Sequence, residues 1–168
     1  FWSGTLKVSG NYNGGNGQQL IQKEILDSRF RNYGVGTGLN LSPISFLSLN
    51  YSFSWSESQN YIVGRSLDFP KIRRTSQTVG LNVFPMKAIT INMNVEHQYN
   101  SVAGQRYTIF ADAGLKWKNK HLDIELGINN IFNARQYVSA SYSEVSTYYY
   151  SYNLRPVSAL LKFRFKIK

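Results

Sequence analysis

The sequence predicts an all-β protein, and specifically a transmembrane antiparallel up-and-down β-barrel. Three observations lead to this prediction. Apolar and polar side chains alternate with a period of two through most of the 168 residues. Several alternating runs approach the roughly 9–11 residues of a tilted membrane strand, whereas strands of soluble proteins typically run about 5–6 residues. Short turns and long polar loops alternate between the runs, as they do at the two ends of an outer-membrane barrel.

Composition excludes several other classes of protein. Twelve Tyr, ten Phe and three Trp, with 42% hydrophobic residues, argue against intrinsic disorder. No stretch approaches the roughly 20 consecutive apolar residues of a membrane-spanning helix. The chain has no cysteine, which excludes disulfides, thiolate metal sites and cysteine nucleophiles.

Roughly eight alternating runs follow one another along the chain, and Ser, Asn, Thr and Gly dominate the positions between their apolar residues. The apolar members of the runs are, in order, Trp2, Leu6, Val8 and Tyr12; Tyr33, Val35, Leu39 and Leu41; Leu47, Leu49, Tyr51, Phe53 and Trp55; Val79, Leu81 and Val83; Ile89, Ile91, Met93, Val95 and Tyr99; Tyr107, Ile109, Ala111, Ala113, Leu115 and Trp117; Leu122, Ile124, Leu126 and Ile128; and Val157, Ala159, Leu161, Phe163, Phe165 and Ile167.

The connections between these runs are of two kinds. Gln18 to Arg31 lacks a clear period of two, so we predict a loop there, with room for one helical turn. The short turns are predicted around residues 41–43, 84–87 and 118–120, and the long loops at Asn13 to Arg29, Ser58 to Ile72, Asn100 to Arg106 and Asn133 to Asn153. The short turns belong to the periplasmic end of a barrel, so the last run descends and places the C-terminus on the periplasmic side.

Aromatic positions decide which environment the apolar face meets, because alternation alone also fits a soluble β-sandwich. Trp2 and Trp117 lie near the short-turn end of the apolar face, and Trp55, Tyr99 and Tyr107 near the long-loop end. Two aromatic belts at the lipid headgroups would have this arrangement. The opposite face is rich in Gly and Ser, which fill a small closed barrel poorly. We therefore predict that residues 1–168 are one segment of a larger barrel, without an internal domain boundary.

The net charge of +10 comes from 19 Lys and Arg against nine Asp and Glu. These basic residues are scattered and form no recognition helix, so we expect no nucleic-acid partner. A luminal charge ladder is predicted near the periplasmic mouth, either as a structural cross-strand feature or as a surface that contacts a plug domain. Its members are Lys116, Asp123, Glu125, Lys162, Arg164 and Lys166. Four further basic residues face either the anionic headgroups of the outer leaflet or solvent: Arg65, Lys71, Arg73 and Arg74.

No catalytic constellation is evident. The two histidines, His97 and His121, fall at opposite ends of the predicted strands, so they cannot share a metal or form a general-base pair. No Ser lies in a nucleophile-elbow context. Glu96 and Asp112 share the luminal face with the acidic residues of the ladder, but Lys116 and Lys162 offer them simpler partners. We expect no enzymatic activity, no cofactor and no metal.

A more specific signal lies near the C-terminal end. The run Glu125-Leu126-Gly127-Ile128-Asn129-Asn130-Ile131-Phe132-Asn133, followed by Tyr137, resembles the penultimate-strand motif of TonB-dependent outer-membrane receptors. The segments Leu154-Arg155-Pro156 and Lys162-Phe163-Arg164-Phe165 are similar to the final strand of the same family. Within that family, the chain is most similar to the Bacteroidetes-type receptors that carry a carboxypeptidase-like regulatory domain. The strong part of the resemblance covers about the last 50 residues.

The resemblance implies a 22-stranded barrel in the outer membrane of a Gram-negative bacterium, with an N-terminal plug and nutrient import powered by the TonB system. The partners would be outer-membrane lipid or lipopolysaccharide, the plug and the remaining barrel strands. Four tyrosines of the last long loop are candidate extracellular contacts for a substrate or an aromatic belt: Tyr148, Tyr149, Tyr150 and Tyr152. Two alternatives stay open: a complete eight-stranded outer-membrane protein with a structural or adhesive role, and a soluble β-sandwich that binds carbohydrate.

Overall fold

A computed structural model describes residues 3–21, 23–64, 71–101, 107–142 and 147–166. These residues form ten strands and no helix, and so they contain no helix that could cross a membrane. The strands are β1 Ser3–Ile21, β2 Glu24–Ile44, β3 Leu47–Ile62, β4 Ile72–Met86, β5 Ile89–Asn100, β6 Tyr107–Lys118, β7 Leu122–Asn129, β8 Gln136–Tyr142, β9 Thr147–Asn153 and β10 Ser158–Phe165. Predictions that involve Trp2, Arg65 and Ile167 fall outside the described residues.

Eight strands build one antiparallel up-and-down sheet in the order β1-β2-β3-β4-β5-β6-β7-β10, and β8 and β9 pair as a separate hairpin. The predicted fold class is confirmed as far as an all-β, eight-stranded, up-and-down sheet. Among the described residues, β1 pairs only with β2 and β10 only with β7, so the sheet is open rather than closed into a barrel.

The strand register places the predicted apolar residues on one face of the sheet. Directly paired residues share a face, and the registers pair the apolar positions of neighbouring strands with one another, apart from irregularities between Leu41 and Ile44 and between Val83 and Met86. One such row, from β2 to β10, is Leu41, Leu49, Leu81, Met93, Ala113, Ile128 and Ala159. The neighbouring row on the opposite face begins with Asn40 and Asn50 and continues through Gly80 and Asn94.

The apolar face is not covered by a second layer. Val8 is 66% exposed, Met93 47% and Phe163 55%, although all three lie within strands. The buried hydrophobic residues in the described part of the chain are limited to Ile62, Ile72, Ala111 and Ala140. A soluble domain of this length would bury a hydrophobic core, so the apolar side chains of this sheet need an environment outside the sheet.

The prediction of a loop within residues 13–31 is wrong. β1 and β2 pair continuously from Ser3↔Ser42 to Ile21↔Glu24, and a tight turn at Lys23, with φ of 68°, joins them. Gly14, Gly15 and Gly17 interrupt the alternating pattern, but glycine retains the backbone donor and acceptor that the ladder requires. The result is a hairpin that extends about 14 Å beyond the pairing of β2 with β3, at about 3.4 Å per residue.

Three further features differ from the predictions. The expected loop Asn133 to Asn153 contains β8 and β9, whose tyrosine-rich strands pair with each other from Gln136↔Asn153 to Tyr142↔Thr147. The first short turn lies at residues 45–46 rather than 41–43, because β2 continues past Pro43 through an irregularity between Leu41 and Ile44. β3 likewise extends to Ile62, into the predicted loop Ser58 to Ile72. The short turns between β2 and β3, β4 and β5, and β6 and β7 lie at one end, and the connections between β3 and β4 and between β5 and β6 at the other end are longer. The tight turn between β1 and β2 is the exception at that second end.

Candidate functional site

The charge ladder lies on the polar face, at the short-turn end of β6, β7 and β10. The register aligns Lys116 with Glu125 and Glu125 with Lys162, and the next row aligns Asp123 with Arg164. Each carboxylate therefore lies between basic residues on both neighbouring strands. All six predicted members occur together in this arrangement.

Two ion pairs connect basic and acidic side chains of the ladder. Lys116 Nζ lies 2.8 Å from Glu125 Oε1, and Lys166 Nζ lies 2.7 Å from Asp123 Oδ1. Lys166 Nζ also donates to the backbone oxygen of Asn119 at 3.0 Å, so it ties the end of β10 to the turn before β7. A cleft of about 190 Å³ between these side chains is lined on one side by Lys162 and Arg164. Basic groups outnumber carboxylates here, so the cleft is suited to an acidic partner surface.

The Asn129–Asn133 segment forms a turn that fastens β7 to its neighbours. Asn130 has φ of 54°. Its backbone N–H donates to Asp112 Oδ1 at 2.8 Å, and its side-chain oxygen accepts from Ala134 N at 2.8 Å. Its side-chain nitrogen donates to the backbone oxygens of Ala134 at 2.9 Å and of Arg155 at 2.7 Å. One amide therefore connects the end of β7 to the segment that leads into β10.

The β8–β9 hairpin lies against the polar face, towards the long-loop end. The Arg74 guanidinium donates to the backbone oxygen of Ala140, and Ala140 has no exposed surface. The ring of Tyr137 lies 6.4 Å from that of Phe110 of β6. The hairpin is therefore held over the same face that carries the charge ladder at the other end of the sheet.

A cavity of about 200 Å³ separates the hairpin from the sheet. Hydroxyl and amide side chains dominate its sheet side, among them Ser54, Ser76 and Gln98, and Arg74 supplies a positive charge. Tyr137 and Val138 line it from the hairpin. These groups donate and accept hydrogen bonds, so the cavity suits water or a small polar ligand.

The four predicted tyrosines all lie on β9. Tyr148, Tyr150 and Tyr152 follow one another along one side of the strand, with ring centroids 6.4 and 6.5 Å apart, and Tyr152 is followed by Tyr137 at 6.3 Å. Tyr149 points to the other side and pairs with Ala140. All four are exposed, from 44% for Tyr150 to 60% for Tyr149. Tyr148, Tyr150 and Tyr152 therefore form an exposed aromatic row on one side of the hairpin, and Tyr149 is exposed on the other side.

The basic residues predicted near the headgroups separate into two groups. Arg73 lies on the apolar side, where its Nε is 2.7 Å from Glu57 Oε2, and Lys71 Nζ is 3.7 Å from Glu57 Oε1. Arg74 lies on the polar face instead and holds the hairpin. Its assignment to the headgroup region is therefore wrong, because consecutive residues of a strand point to opposite faces. The sequence already contained this information, because Arg74 lies two residues before Ser76, which the alternation places on the polar face.

The histidines occupy separate places, as predicted. His97 lies on the apolar face, where its ring is 5.8 Å from that of Tyr107, and His121 lies in the turn before β7. Within the described residues, no group of three or more His, Asp or Glu side chains is placed to hold a metal ion.

Comparisons with family models, with curated proteins and with solved structures return no match. The candidate site is therefore defined by this chain's own geometry: a charged cleft at one end of the polar face and an anchored, tyrosine-bearing hairpin at the other. Sequence reasoning named Arg74 but missed that it anchors the hairpin. It also missed the bonding role of Asn130, although Asn130 lies within the motif that carries the family resemblance.

Proposed function

We propose that the chain is the C-terminal part of the barrel wall of a TonB-dependent receptor, which imports a nutrient across the outer membrane of a Gram-negative bacterium. The apolar face meets lipid, and the polar face lines the lumen. The short turns and the end of β10 lie on the periplasmic side, and the β8–β9 hairpin belongs to the extracellular half. The partners are the plug, the remaining barrel strands and, through the plug, the TonB system.

The observation that carries this proposal is the uncovered apolar face. Monomeric soluble proteins rarely expose a continuous apolar patch larger than a few hundred Å². Here a row such as Leu49, Leu81 and Met93 crosses the sheet between other rows of the same character. Hydrocarbon accepts such a face, provided that the strands pair their backbone groups with one another.

The free edges of the sheet support a wall larger than eight strands. β1 is 19 residues long, and among the residues that the structure describes, β1 and β10 each pair on one side only. Unpaired backbone groups at a sheet edge are costly in hydrocarbon, so further strands are needed beyond both edges. A complete eight-stranded barrel would instead pair β1 with β10.

The turn at Asn130 supports the family assignment. The residues that resemble the family motif are also those whose amide joins β7 to the segment before β10. In the proposed wall, this motif connects the last two strands, β7 and β10. At the opposite, short-turn end of β7, the charge ladder offers a basic surface for the acidic side chains of a plug.

The wall proposal is tested by single-cysteine labelling, since these 168 residues contain no native cysteine. Any cysteine elsewhere in the full-length protein is first replaced by serine. Leu49→Cys and Leu81→Cys report on the apolar face, and the adjacent Asn50→Cys and Asn82→Cys are their matched controls on the polar face. In the full-length protein within outer membranes, we expect a water-soluble maleimide to label the two Asn positions at least about tenfold faster. A lipid-phase quencher should act on fluorophores attached at the two Leu positions. Equal labelling on both faces, or no membrane association, would contradict the proposal and favour the soluble sandwich.

The transport step is tested separately. Uptake of a panel of nutrients is compared in cells with and without the gene, and in cells that lack a functional TonB system. We expect the same compound to be lost in both deficient strains. If the protein lies in the outer membrane but neither deletion changes uptake, a structural or adhesive role is correct instead.

A further inference from the structure

We propose that the outward side of the β1–β2 hairpin holds the phosphate group of an outer-leaflet lipid, with Arg29 and Arg31 as its ligands. Tyr12 and Tyr61 complete the site. This inference rests on the proposed membrane orientation and adds a binding site to it. The residues lie in the segment that was expected to be a loop, and their arrangement depends on the continuous pairing of β1 with β2.

The register brings the four side chains to one face. Arg31 pairs with Gly14, and Arg29 pairs with Asn16 on one side and with Tyr61 on the other. Tyr12 lies on the same face and folds over Gly14: a Cβ atom added at Gly14 would be only 2.6 Å from Tyr12 Oη. Glycine at this position therefore leaves room for the Tyr12 hydroxyl, so the Tyr12 side chain can form one wall of the site. The resulting cleft has a volume of about 360 Å³.

The two guanidinium groups are available to an anion. Arg31 Cζ lies 5.7 Å from the centre of the Tyr61 ring, a cation–π contact that orients the guanidinium and leaves its N–H edge open. Of the carboxylates on this face, Glu57 is held by Arg73 and Lys71, and Asp27 accepts from Gln18 Nε2 at 3.3 Å. Within the described chain, no carboxylate pairs with Arg29 or Arg31. Planar guanidinium donors bind phosphate oxygens in a bidentate manner.

The position of Arg29 and Arg31 along β2 identifies a lipid as the source of the phosphate. Tyr12 and Tyr33 face each other across β1 and β2, with ring centroids 5.2 Å apart. On the short-turn side of this pair the face is apolar, with Val8 66% and Val35 45% exposed. On the other side, Arg31 follows after two residues, or about 7 Å. An aromatic pair at the border of the hydrocarbon places guanidinium groups at this distance among the headgroups.

The test uses the full-length protein reconstituted in phosphatidylcholine vesicles that contain either diphosphoryl lipid A or the same lipid without its phosphates. Bound lipid is quantified after extraction into detergent and purification. The test variant is Arg29→Ala with Arg31→Ala. Lys7→Ala with Lys87→Ala is the matched control, because it removes two exposed positive charges from the polar face and from a short turn. Insertion is measured first, from protease protection.

We expect the inserted wild-type protein to prefer the phosphorylated lipid at least about tenfold. In the Arg29→Ala, Arg31→Ala variant this preference should fall to less than about twofold. In the control variant it should not change. Arg29→Lys with Arg31→Lys should retain an intermediate preference, because lysine keeps the charge without the bidentate geometry. If the alanine variant does not insert, this lysine variant is compared with the wild-type protein instead. Inorganic phosphate in solution should not compete at millimolar concentration.

The outcomes separate the two proposals. If the wild-type protein inserts but binds both lipids equally, or if the control loses the preference as strongly as the Arg29/Arg31 variant, the phosphate site is wrong and the wall proposal stands. Competition by inorganic phosphate at the affinity of the lipid would overturn the lipid as its source. Failure of the wild-type protein to insert at all would instead contradict the wall proposal.

Discussion

At the scale of single residues, Asn130 shows how one side chain can fix a connection between strands. A left-handed backbone costs a non-glycine residue about 1–2 kcal/mol, and Asn tolerates it better than most residues. Here its φ of 54° directs the amide towards both Ala134 and Arg155. Local strain at this turn is offset by hydrogen bonds to the chain on either side.

Replacing Asn130 should destabilise the turn. Asn130→Ala removes three side-chain hydrogen bonds, each worth about 0.5–1.5 kcal/mol net, and places in the left-handed region an alanine, which tolerates that region less well than Asn. We expect a loss of about 2–4 kcal/mol in the free energy of unfolding, measured by urea titration of the full-length protein in detergent micelles. The adjacent Asn129→Ala is the control and should change it by less than about 1 kcal/mol. Equal effects of the two substitutions would mean that the amide does not act as described.

Other single residues show what the sequence does and does not reveal. Strand parity assigns Arg73 and Arg74 to opposite faces, and the structure follows it. The pairing of Lys116 with Glu125 was likewise foreseeable from the turn that joins their strands. The hydrogen bonds of Asn130 could not be foreseen in this way, because one of them depends on the position of Arg155, which is 25 residues further along the chain.

At the scale of strands and hairpins, regular alternation predicted the six central elements well, and both failures concern hairpins. The tip of β1–β2 is rich in glycine, and β8–β9 is rich in consecutive tyrosines, so neither shows a period of two. Both are strands because a neighbouring strand supplies hydrogen-bond partners along their length. Pairing of this kind is a tertiary effect, which local patterns do not contain.

The β8–β9 hairpin should detach from the polar face when its anchor is removed. A hydrogen bond to a charged group contributes about 1.5–3 kcal/mol, and the Arg74 guanidinium supplies one to Ala140. In a protein carrying Ser56→Cys in the cavity wall, we expect Arg74→Ala to raise the rate of maleimide labelling at least about tenfold. Arg73→Ala is the matched control, since this neighbour points to the other face and should leave the rate unchanged. Unaltered labelling in Arg74→Ala would show that other contacts hold the hairpin.

At the scale of the whole molecule, the sheet has two faces of opposite character and two free edges, and no single residue accounts for either property. The apolar rows match across eight strands because, apart from irregularities between Leu41 and Ile44 and between Val83 and Met86, each register pairs apolar positions with apolar positions. The sequence made this face predictable, since alternation persists through the central strands. It did not reveal whether the sheet closes, because closure depends on what pairs with the outer edges of β1 and β10.

The two faces should respond in opposite ways to the same charge. Leu81 lies near the middle of the apolar face, between Leu49 and Met93, and Asn82 lies next to it on the polar face, between Ser48 and Asn92. An arginine facing lipid at the membrane midplane costs about 2–4 kcal/mol, whereas one facing a wet lumen keeps its hydration. We therefore expect Leu81→Arg to make folding into lipid vesicles less favourable by about that amount, and Asn82→Arg to change the free energy of folding by less than about 1 kcal/mol. Folding of the full-length protein from urea is followed by the change in electrophoretic mobility of the unheated protein. If Leu81→Arg folds as well as Asn82→Arg in vesicles, the apolar rows do not face hydrocarbon. The uncovered face would then have to meet another protein surface that tolerates the guanidinium.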